Sequence, residues 1–224
     1  MSGINQTTGS ILKNAGIAAL GLFFFSFGDY LTIQANIGVS PWDTLHLGLA
    51  GTLGLPYGTA NILISVLIVG IDILMHEMIG IGMLLDAFLV GKYIDLLNWI
   101  GLIPKQTAIL PSLLFFAAGL AIIGFSQAFY MRAALGCGPR DSLLIGLKRR
   151  LPRVPIGLVS ITMLGCATLI GWILGGPVGI GTLASALLTG PVMQLEFHLI
   201  RFDPTGIRHQ SLLGSWRVIT RKKS

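Results

Sequence analysis

The chain has 224 residues, of which 53% are hydrophobic and only 11% are charged. A soluble domain carries about 25% charged residues, so this composition excludes an ordinary soluble domain and predicts an integral membrane protein. The formal net charge of +6 does not indicate nucleic-acid binding, because the basic residues flank apolar segments and have no interleaved aromatic residues. Membrane orientation and contact with lipid headgroups explain them better.

Taken in chain order, six apolar runs approach the length of about 20 residues that a helix needs to cross a bilayer. They predict an all-α, polytopic membrane protein with about six transmembrane helices, at 11–33, 59–75, 80–100, 110–131, 155–174 and 179–200. Residues 1–10 precede the first run as a short cytoplasmic segment. The first run lacks an A-x-A-like cleavage site, so we interpret it as a membrane helix and not as a removed signal peptide.

A short helix is predicted after the first span and again after the fourth. The sequence GVSPWDTL, which begins at position 38, is followed 98 positions later by GCGPRDSL. In the first copy Ser40 is a favourable N-cap, Pro41 suits the first helical position, and Asp43 completes a capping box. The second copy has Gly138 in place of Ser40. Each helix would run for about a dozen residues, which is too short to cross a bilayer.

The two halves of the chain repeat each other well beyond these short helices. At the same offset, or with one residue inserted, Gly21, Gly48, Pro56, Gly58, Gly80-Ile81-Gly82 and Gly91 match Gly119, Gly146, Pro155, Gly157, Gly179-Ile180-Gly181 and Gly190. The repeats cover 11–103 and 104–200, and each contains three full spans and one half helix. Because three is odd, the second half must enter the membrane from the opposite side. This predicts an inverted repeat, which is the plan of many secondary transporters.

The distribution of basic residues gives an independent prediction of orientation. Of 15 Lys and Arg residues, one, Lys13, lies at the N-terminal end of the first span, six lie between the fourth and fifth spans, and six follow the last. These regions share one side of a six-span topology, whereas the loop 34–58 has no Lys or Arg. The positive-inside rule therefore predicts two cytoplasmic termini. We expect the basic tail, 201–224, to lie at the anionic inner leaflet.

Several ionisable residues within the predicted spans have a simple structural explanation. An ionisable side chain inside a span costs about 2.5 to 3.5 kcal/mol on insertion scales, so each needs a partner or a role. Lys92 and Asp95 are three positions apart on a helix and can form an ion pair. Asp72 and Glu196 lie near the ends of their spans, where we expect them to reach the membrane interface.

Two other carboxylates are predicted to face an internal polar cavity. Asp29 lies in the span that leads to the first half helix, and its counterpart in the repeat is Gln127. Asp86 lies well inside the third span, with Tyr93 on the same helical face and Ser185 as its counterpart in the repeat. Because ionisable residues within membranes mark ion and substrate pathways, Asp29 and Asp86 are candidates for a proton or cation step.

The starts of the two half helices are the predicted substrate site. Asp43 and Asp141 have a local explanation, since a carboxylate in the first turn complements the helix dipole by about 0.3 to 1 kcal/mol. The functional interpretation is that the two helix starts point toward one site near the membrane midplane. Trp42 and Arg140 are equivalent in the repeat and offer an aromatic face and a cation, which suits a planar or zwitterionic organic molecule. The predicted substrate-binding residues are Trp42, Arg140, Asp43, Asp141, Gly38 and Gly136.

No sequence feature supports catalysis, a cofactor or a metal site. The two cysteines, Cys137 and Cys166, are far apart and belong to no CxxC or Cys/His cluster, which argues against zinc and against a disulfide framework. The sequence contains no phosphate-binding glycine loop, nucleophile elbow or HExxH motif. The spacing of Gly171 and Gly175 permits close helix approach, either within one chain or between the chains of a homodimer.

The set of repeated motifs resembles the YczE/YyaS/YitT group of bacterial membrane proteins over about residues 10–200. The residues that carry the resemblance are Gly38, Pro41, Asp43, Gly136, Pro139 and Asp141, the two Gly-Ile-Gly segments, Thr182 and Gly190-Pro191. The resemblance implies a bacterial inner-membrane protein. Genes of this group often neighbour pyridoxal-phosphate-dependent regulators, which suggests a vitamin B6-related substrate. The halves differ at Asp86 against Ser185 and at Lys92 against Pro191, so they need not contribute equally.

Two functional hypotheses follow. The leading one is a transporter of a small organic molecule that works by alternating access between the inverted repeats. The alternative is a non-catalytic subunit of a larger transport complex, which captures substrate or acts as a scaffold and docks through the face formed by Ala15 and Ala19. The expected partners are the lipid bilayer and a small molecule, with no nucleic acid.

Overall fold

The computed structural model describes residues 8–202, and its regular secondary structure over that range is entirely α-helical. The helices are α1 (Thr8–Gln34), α2 (Pro41–Leu53), α3 (Tyr57–Leu74), α4 (Ile81–Ile100), α5 (Ile109–Arg132), α6 (Pro139–Arg150), α7 (Ile156–Ile173) and α8 (Ile180–Leu199). The predicted all-α class is confirmed, and both half helices, α2 and α6, begin at the expected prolines. Residues 1–7 and most of the predicted basic tail lie outside the described residues.

Among residues 8–202, four helices are long and apolar enough to cross a membrane, namely α1, α3, α5 and α7. The chain is therefore a multi-pass membrane protein. The helices α4 and α8 have 20 residues each but are more polar. Three charged residues, Asp86, Lys92 and Asp95, lie on α4, and α8 contains Glu196 and an internal proline, Pro191.

The two halves meet where α1 crosses α5. A Cβ placed at Gly28 would lie 2.8 Å from the Gly119 carbonyl oxygen, and one placed at Gly119 would lie 2.7 Å from the Gly28 carbonyl oxygen. Only residues without a side chain allow the two backbones to approach so closely. Around this crossing α1 packs against α4 and α5 packs against α8, and Leu22 and Tyr130 belong to the main buried cluster.

Each half helix packs mainly against a span from the other half. The helix α2 contacts α7, and its equivalent α6 contacts α3. The loops that lead into α2 and α6 turn in the same way, because Asn36 and Ala134 have φ angles of 57° and 55° and Gly38 and Gly136 have φ angles of 105° and 118°. Positive φ favours glycine, which explains why both copies of the repeated motif have glycine at these positions.

The second glycine motif of each half closes against the first motif of the other. A Cβ at Gly38 would lie 2.7 Å from the backbone nitrogen of Gly179, and a Cβ at Gly136 would lie 2.9 Å from Cα of Gly80. Hydrogen bonds complete both contacts: the N–H of Gly181 donates to the Ile37 carbonyl at 2.7 Å, and the N–H of Gly82 donates to the Leu135 carbonyl at 2.8 Å. The repeated glycines therefore join the two halves.

One pair of equivalent interfaces differs between the halves. The helix α3 packs along α4, where a Cβ at Gly91 would lie 2.7 Å from Cα of Gly58, and the N–H of Gly58 donates to Oδ1 of Asp95 at 2.8 Å. The equivalent helices α7 and α8 form no comparable contact. Within the described part of the chain, no atom of another element lies within 4 Å of a Cβ placed at Gly157 or Gly190. The α3–α4 interface of the first half is therefore closed, whereas the equivalent α7–α8 interface of the second half is open.

Three expectations about ionisable residues differ from the structure. Lys92 and Asp95 form no ion pair, because Asp95 caps the start of α3 and Lys92 points outward as an exposed side chain. Glu196, which was expected to extend to the membrane interface, is only 4% exposed and lies against Gly124 of α5, where the missing side chain leaves room for a carboxylate. Asp72 is likewise fully buried.

Candidate functional site

A cavity of about 390 Å³ lies between the two half-helix starts and the helices α1, α4, α5, α7 and α8. Its volume falls in the range of small-molecule sites. Its polar wall contains Asp29, Thr32, Ser40, Trp42, Asp86, Gln127, Arg140, Asp141, Ser160, Ser185 and Thr189. The rest of the wall is apolar and includes Phe25, Leu120, Ile123, Met131, Met163 and Met193.

The start of α2 is held by a buried hydrogen-bond network behind the cavity wall. The Asp43 N–H donates to Ser40 Oγ at 3.2 Å, as the predicted N-cap requires. The Asp43 carboxylate does not close the capping box on the Ser40 backbone; it accepts the Ser40 hydroxyl at 2.7 Å and the Tyr57 hydroxyl at 2.6 Å. The ring of His46 completes the network, with Nδ1 3.1 Å from the Tyr57 oxygen. Asp43 thus links α2 to α3.

The start of α6 is built differently, because Gly138 supplies no side chain. A Cβ at position 138 would lie 2.7 Å from Oδ2 of Asp86. The carboxylate of Asp86 on α4 therefore lies against the N-terminus of α6, where the helix dipole stabilises a negative charge by about 0.3 to 1 kcal/mol. At the start of α2 the equivalent residues are Ser40 and Ser185, and both line the cavity. The α2 start therefore has two serines where the α6 start has a glycine and a carboxylate.

Trp42 and Arg140, the equivalent residues of the two half helices, contact each other. The Arg140 guanidinium carbon lies 5.4 Å from the centroid of the Trp42 ring, within the range of a cation–π interaction. Nη2 of Arg140 donates to Oδ1 of Asn61 at 3.0 Å. Beside them, Nε2 of Gln127 lies 3.4 Å from Oδ2 of Asp141, which is a long hydrogen bond. The aromatic face and the cation predicted for this site are thus partly occupied by each other.

The cavity gathers seven of the eleven predicted site residues: Trp42, Arg140, Asp141, Asp29, Asp86, Gln127 and Ser185. Four lie elsewhere. Asp43 is in the buried network, and Gly38 and Gly136 form the glycine contacts between the halves. Tyr93 packs edge to face on Phe23, with ring centroids 5.4 Å apart. It shares a helical face with Asp86 but lies about 10 Å farther along the helix axis.

Sequence reasoning missed several polar residues at the site. Asn61, which orients Arg140, is buried on α3, and its counterpart at the offset of 99 is Ser160, a cavity residue. The polar residues at both of these equivalent positions could have indicated a place at the site. His46 and Tyr57 gave no such signal, since their counterparts, Leu144 and Ile156, are apolar.

A groove between α7 and α8 adjoins the cavity. It has a volume of about 490 Å³ and an almost wholly apolar wall that includes Ile161, Leu169, Trp172, Leu183 and Leu187. Pro41, Leu164 and Ala186 line both the cavity and the groove. The opening between α7 and α8 therefore continues from the half-helix starts to the outer surface of the bundle.

The sequence matches a family of unknown function, DUF6198, over residues 12–197. It is 37% identical over 182 residues to the uncharacterized membrane protein YczE of Bacillus subtilis, covering 79% of this chain and 81% of that protein. The uncharacterized protein YyaS of Bacillus subtilis is 31% identical over 186 residues, with 81% and 90% covered, and an uncharacterized protein of Haemophilus influenzae is 29% identical over 188 residues, with 84% and 85% covered. No solved structure matches the chain. The predicted resemblance to the YczE/YyaS group is confirmed.

Proposed function

This chain belongs to the family DUF6198, and we propose that it transports a small organic molecule by alternating access between its two halves. The support is a polar cavity of about 390 Å³ at the junction of two half helices in a multi-pass membrane protein. Broken or short helices at such a junction are the usual binding sites of secondary transporters. The resemblance suggests a vitamin B6-related compound as the first substrate to test. The proposal assigns no catalytic step to the chain.

The proposed topology has six spans in a bacterial cytoplasmic membrane, with both termini cytoplasmic. The spans are α1, α3, α4, α5, α7 and α8, and the half helices belong to opposite sides of an inverted repeat. Equivalent contacts support this arrangement, since α1–α4 corresponds to α5–α8 and α2–α7 corresponds to α6–α3. The distribution of Lys and Arg along the sequence supports the orientation.

The observation that carries the mechanism is the difference between two equivalent glycine pairs. Gly58 and Gly91 bring α3 against α4, whereas among residues 8–202 a Cβ placed at Gly157 or Gly190 has no neighbour on another element within 4 Å. Glycine inside a helix is about 1 kcal/mol less favourable than alanine, yet no contact in this state requires it at Gly190. In an inverted-repeat transporter, alternating access comes from rocking or gating of one half against the other. A second state in which α7 closes on α8 would explain both open glycines.

Disulfide cross-linking in membranes tests this second state. Cysteines introduced as Gly157→Cys and Gly190→Cys, with Cys137 and Cys166 replaced by serine, would bond only if α7 and α8 approach, because a disulfide needs Cβ atoms about 3.5 to 4.5 Å apart. The control pairs Gly190→Cys with Gly70→Cys, because Gly70 also meets open space but lies on α3. We expect an oxidant to link the first pair and not the second. Absence of the first link would contradict alternating access.

The alternative of a substrate-capture subunit has less support. Its proposed docking residue Ala15 packs partly against the main buried cluster of this same chain. Stoichiometric co-isolation of an ATPase module from native membranes would favour the alternative over an autonomous transporter.

A further inference from the structure

The charged side chains that line the cavity are unequal in number. Among residues 8–202 they are three carboxylates, Asp29, Asp86 and Asp141, and one guanidinium, Arg140. When all four are ionised the cavity wall carries two more negative charges than positive ones. Uncompensated charge in apolar surroundings is costly unless a partner is supplied. The cavity wall therefore carries fewer cationic than anionic groups.

Arg140 does not neutralise these carboxylates by direct contact. Within the described part of the chain, a side-chain nitrogen of Lys, Arg or His approaches a carboxylate oxygen within 4.0 Å only in the pairs His46–Asp43 and Arg149–Glu77. Arg140 is instead directed by its hydrogen bond to Asn61 and its contact with the Trp42 ring. The direct contacts of Arg140 are thus with neutral groups, and among residues 8–202 no cavity carboxylate has an ion-pair partner within 4.0 Å.

The cavity carboxylates retain oxygen atoms that can pair with the positive charge of a ligand. Asp29 is only 4% exposed, and its Oδ2 has no hydrogen-bond partner. Asp86 makes no hydrogen bond or ion pair within residues 8–202 and lies against Gly138. Asp141 has only the long contact of 3.4 Å from Gln127. A buried, unsatisfied carboxylate oxygen at a cavity wall costs free energy that a bound cation would recover.

The other walls indicate an organic cation and not a metal ion. No group of three His, Cys, Asp or Glu residues within 8–202 is arranged to hold a metal ion. Phe25 and Trp42 offer aromatic faces, and Met131, Met163 and Met193 offer adaptable apolar contacts. A cavity of about 390 Å³ is also far larger than a dehydrated metal ion needs.

We propose that this cavity binds an organic cation, an amine or quaternary ammonium group on a compact apolar body, with Asp29 and Asp86 as its counter-ions. The inference rests on the proposed function for its biological purpose, because it names the substrate class of the same site. Binding does not require transport, so the two proposals are tested separately.

The test is equilibrium dialysis of the purified full-length protein in nanodiscs with three small probes that share a benzyl group. Benzyltrimethylammonium is cationic, phenylacetamide is neutral and phenylacetate is anionic. We expect saturable binding of the cation alone. The variants Asp29→Asn and Asp86→Asn should each weaken it at least about tenfold. The control Asp72→Asn removes a buried carboxylate that does not line the cavity, and it should bind like the unmodified protein.

The outcomes separate this inference from the transport mechanism. Thermal melting of each variant in detergent establishes that it is folded. Saturable binding of phenylacetate, absence of saturable binding of the cation, or undiminished cation binding by both folded cavity variants would overturn the organic-cation site. Cation binding that depends on Asp29 and Asp86, in a protein whose α7 and α8 never cross-link, would keep the site and refute alternating access.

Discussion

The first half of the molecule is closed where the second half is open, although the glycines that permit closure occur in both. In the first half, Gly58 meets Gly91 and Asp95 caps the start of α3. In the second half, Gly157 and Gly190 face open space and an apolar groove separates α7 from α8. This difference shows that glycines permit two helices to pack closely but do not determine whether they do so.

The half-helix starts show a second difference of the same kind. The start of α2 is fixed by its own buried network, in which Asp43 accepts hydrogen bonds from two hydroxyl groups. The start of α6 has no such network, and Asp86 reaches it from α4. A change in the packing of α4 would therefore move a charged group at α6, whereas the α2 start is held locally.

The largest expected effect comes from filling the closed interface. Gly91→Leu places a side chain where a Cβ alone would lie 2.7 Å from Cα of Gly58, and overpacking of this kind costs about 1 to 3 kcal/mol or more. The matched variant Gly190→Leu enters open space and should leave the melting temperature in detergent unchanged. Equal losses of stability in the two variants would show that the two interfaces do not differ.

The second prediction compares the two half-helix carboxylates. Asp43→Asn weakens two short hydrogen bonds in a fully buried site and should cost about 1 to 3 kcal/mol. Asp141→Asn changes only a long contact with Gln127 and should cost less than about 1 kcal/mol. Urea or thermal unfolding of both purified variants measures the difference. A larger loss in Asp141→Asn would show that the α6 start is the more firmly held.

The third prediction concerns replacement of Gly138 and Asp86 by the serines found at the equivalent positions, Ser40 and Ser185. Gly138→Ser alone should push against Asp86, because its Cβ would lie 2.7 Å from Oδ2. Adding Asp86→Ser recreates the arrangement of Ser40 and Ser185 and should relieve the strain. We expect a coupling free energy of about 1 kcal/mol in a double-mutant cycle of unfolding. Additive effects of the two substitutions would mean that these residues do not share the space.

The positions of the helices and the repeat were determined by the sequence alone. Apolar run length, Pro41 and Pro139 at helix starts, and repeated Gly-Ile-Gly segments are local features, and local hydropathy and capping depend on neighbouring residues. The equivalent positions of Trp42 and Arg140 in the repeat also predict that both residues lie at one site. The repeat could further have indicated Asn61 through Ser160.

Tertiary structure decided which groups from distant elements meet. Asp95 could pair with Lys92 or cap Gly58, and the packing of α3 on α4 selected the second. Glu196 could extend to the membrane interface, but Gly124 of α5 left a space that buries it. Sequence also could not show that α3 closes on α4 while α7 stays apart from α8, because the same glycines allow both packings. Which one forms depends on a small difference between large packing energies summed over the whole bundle.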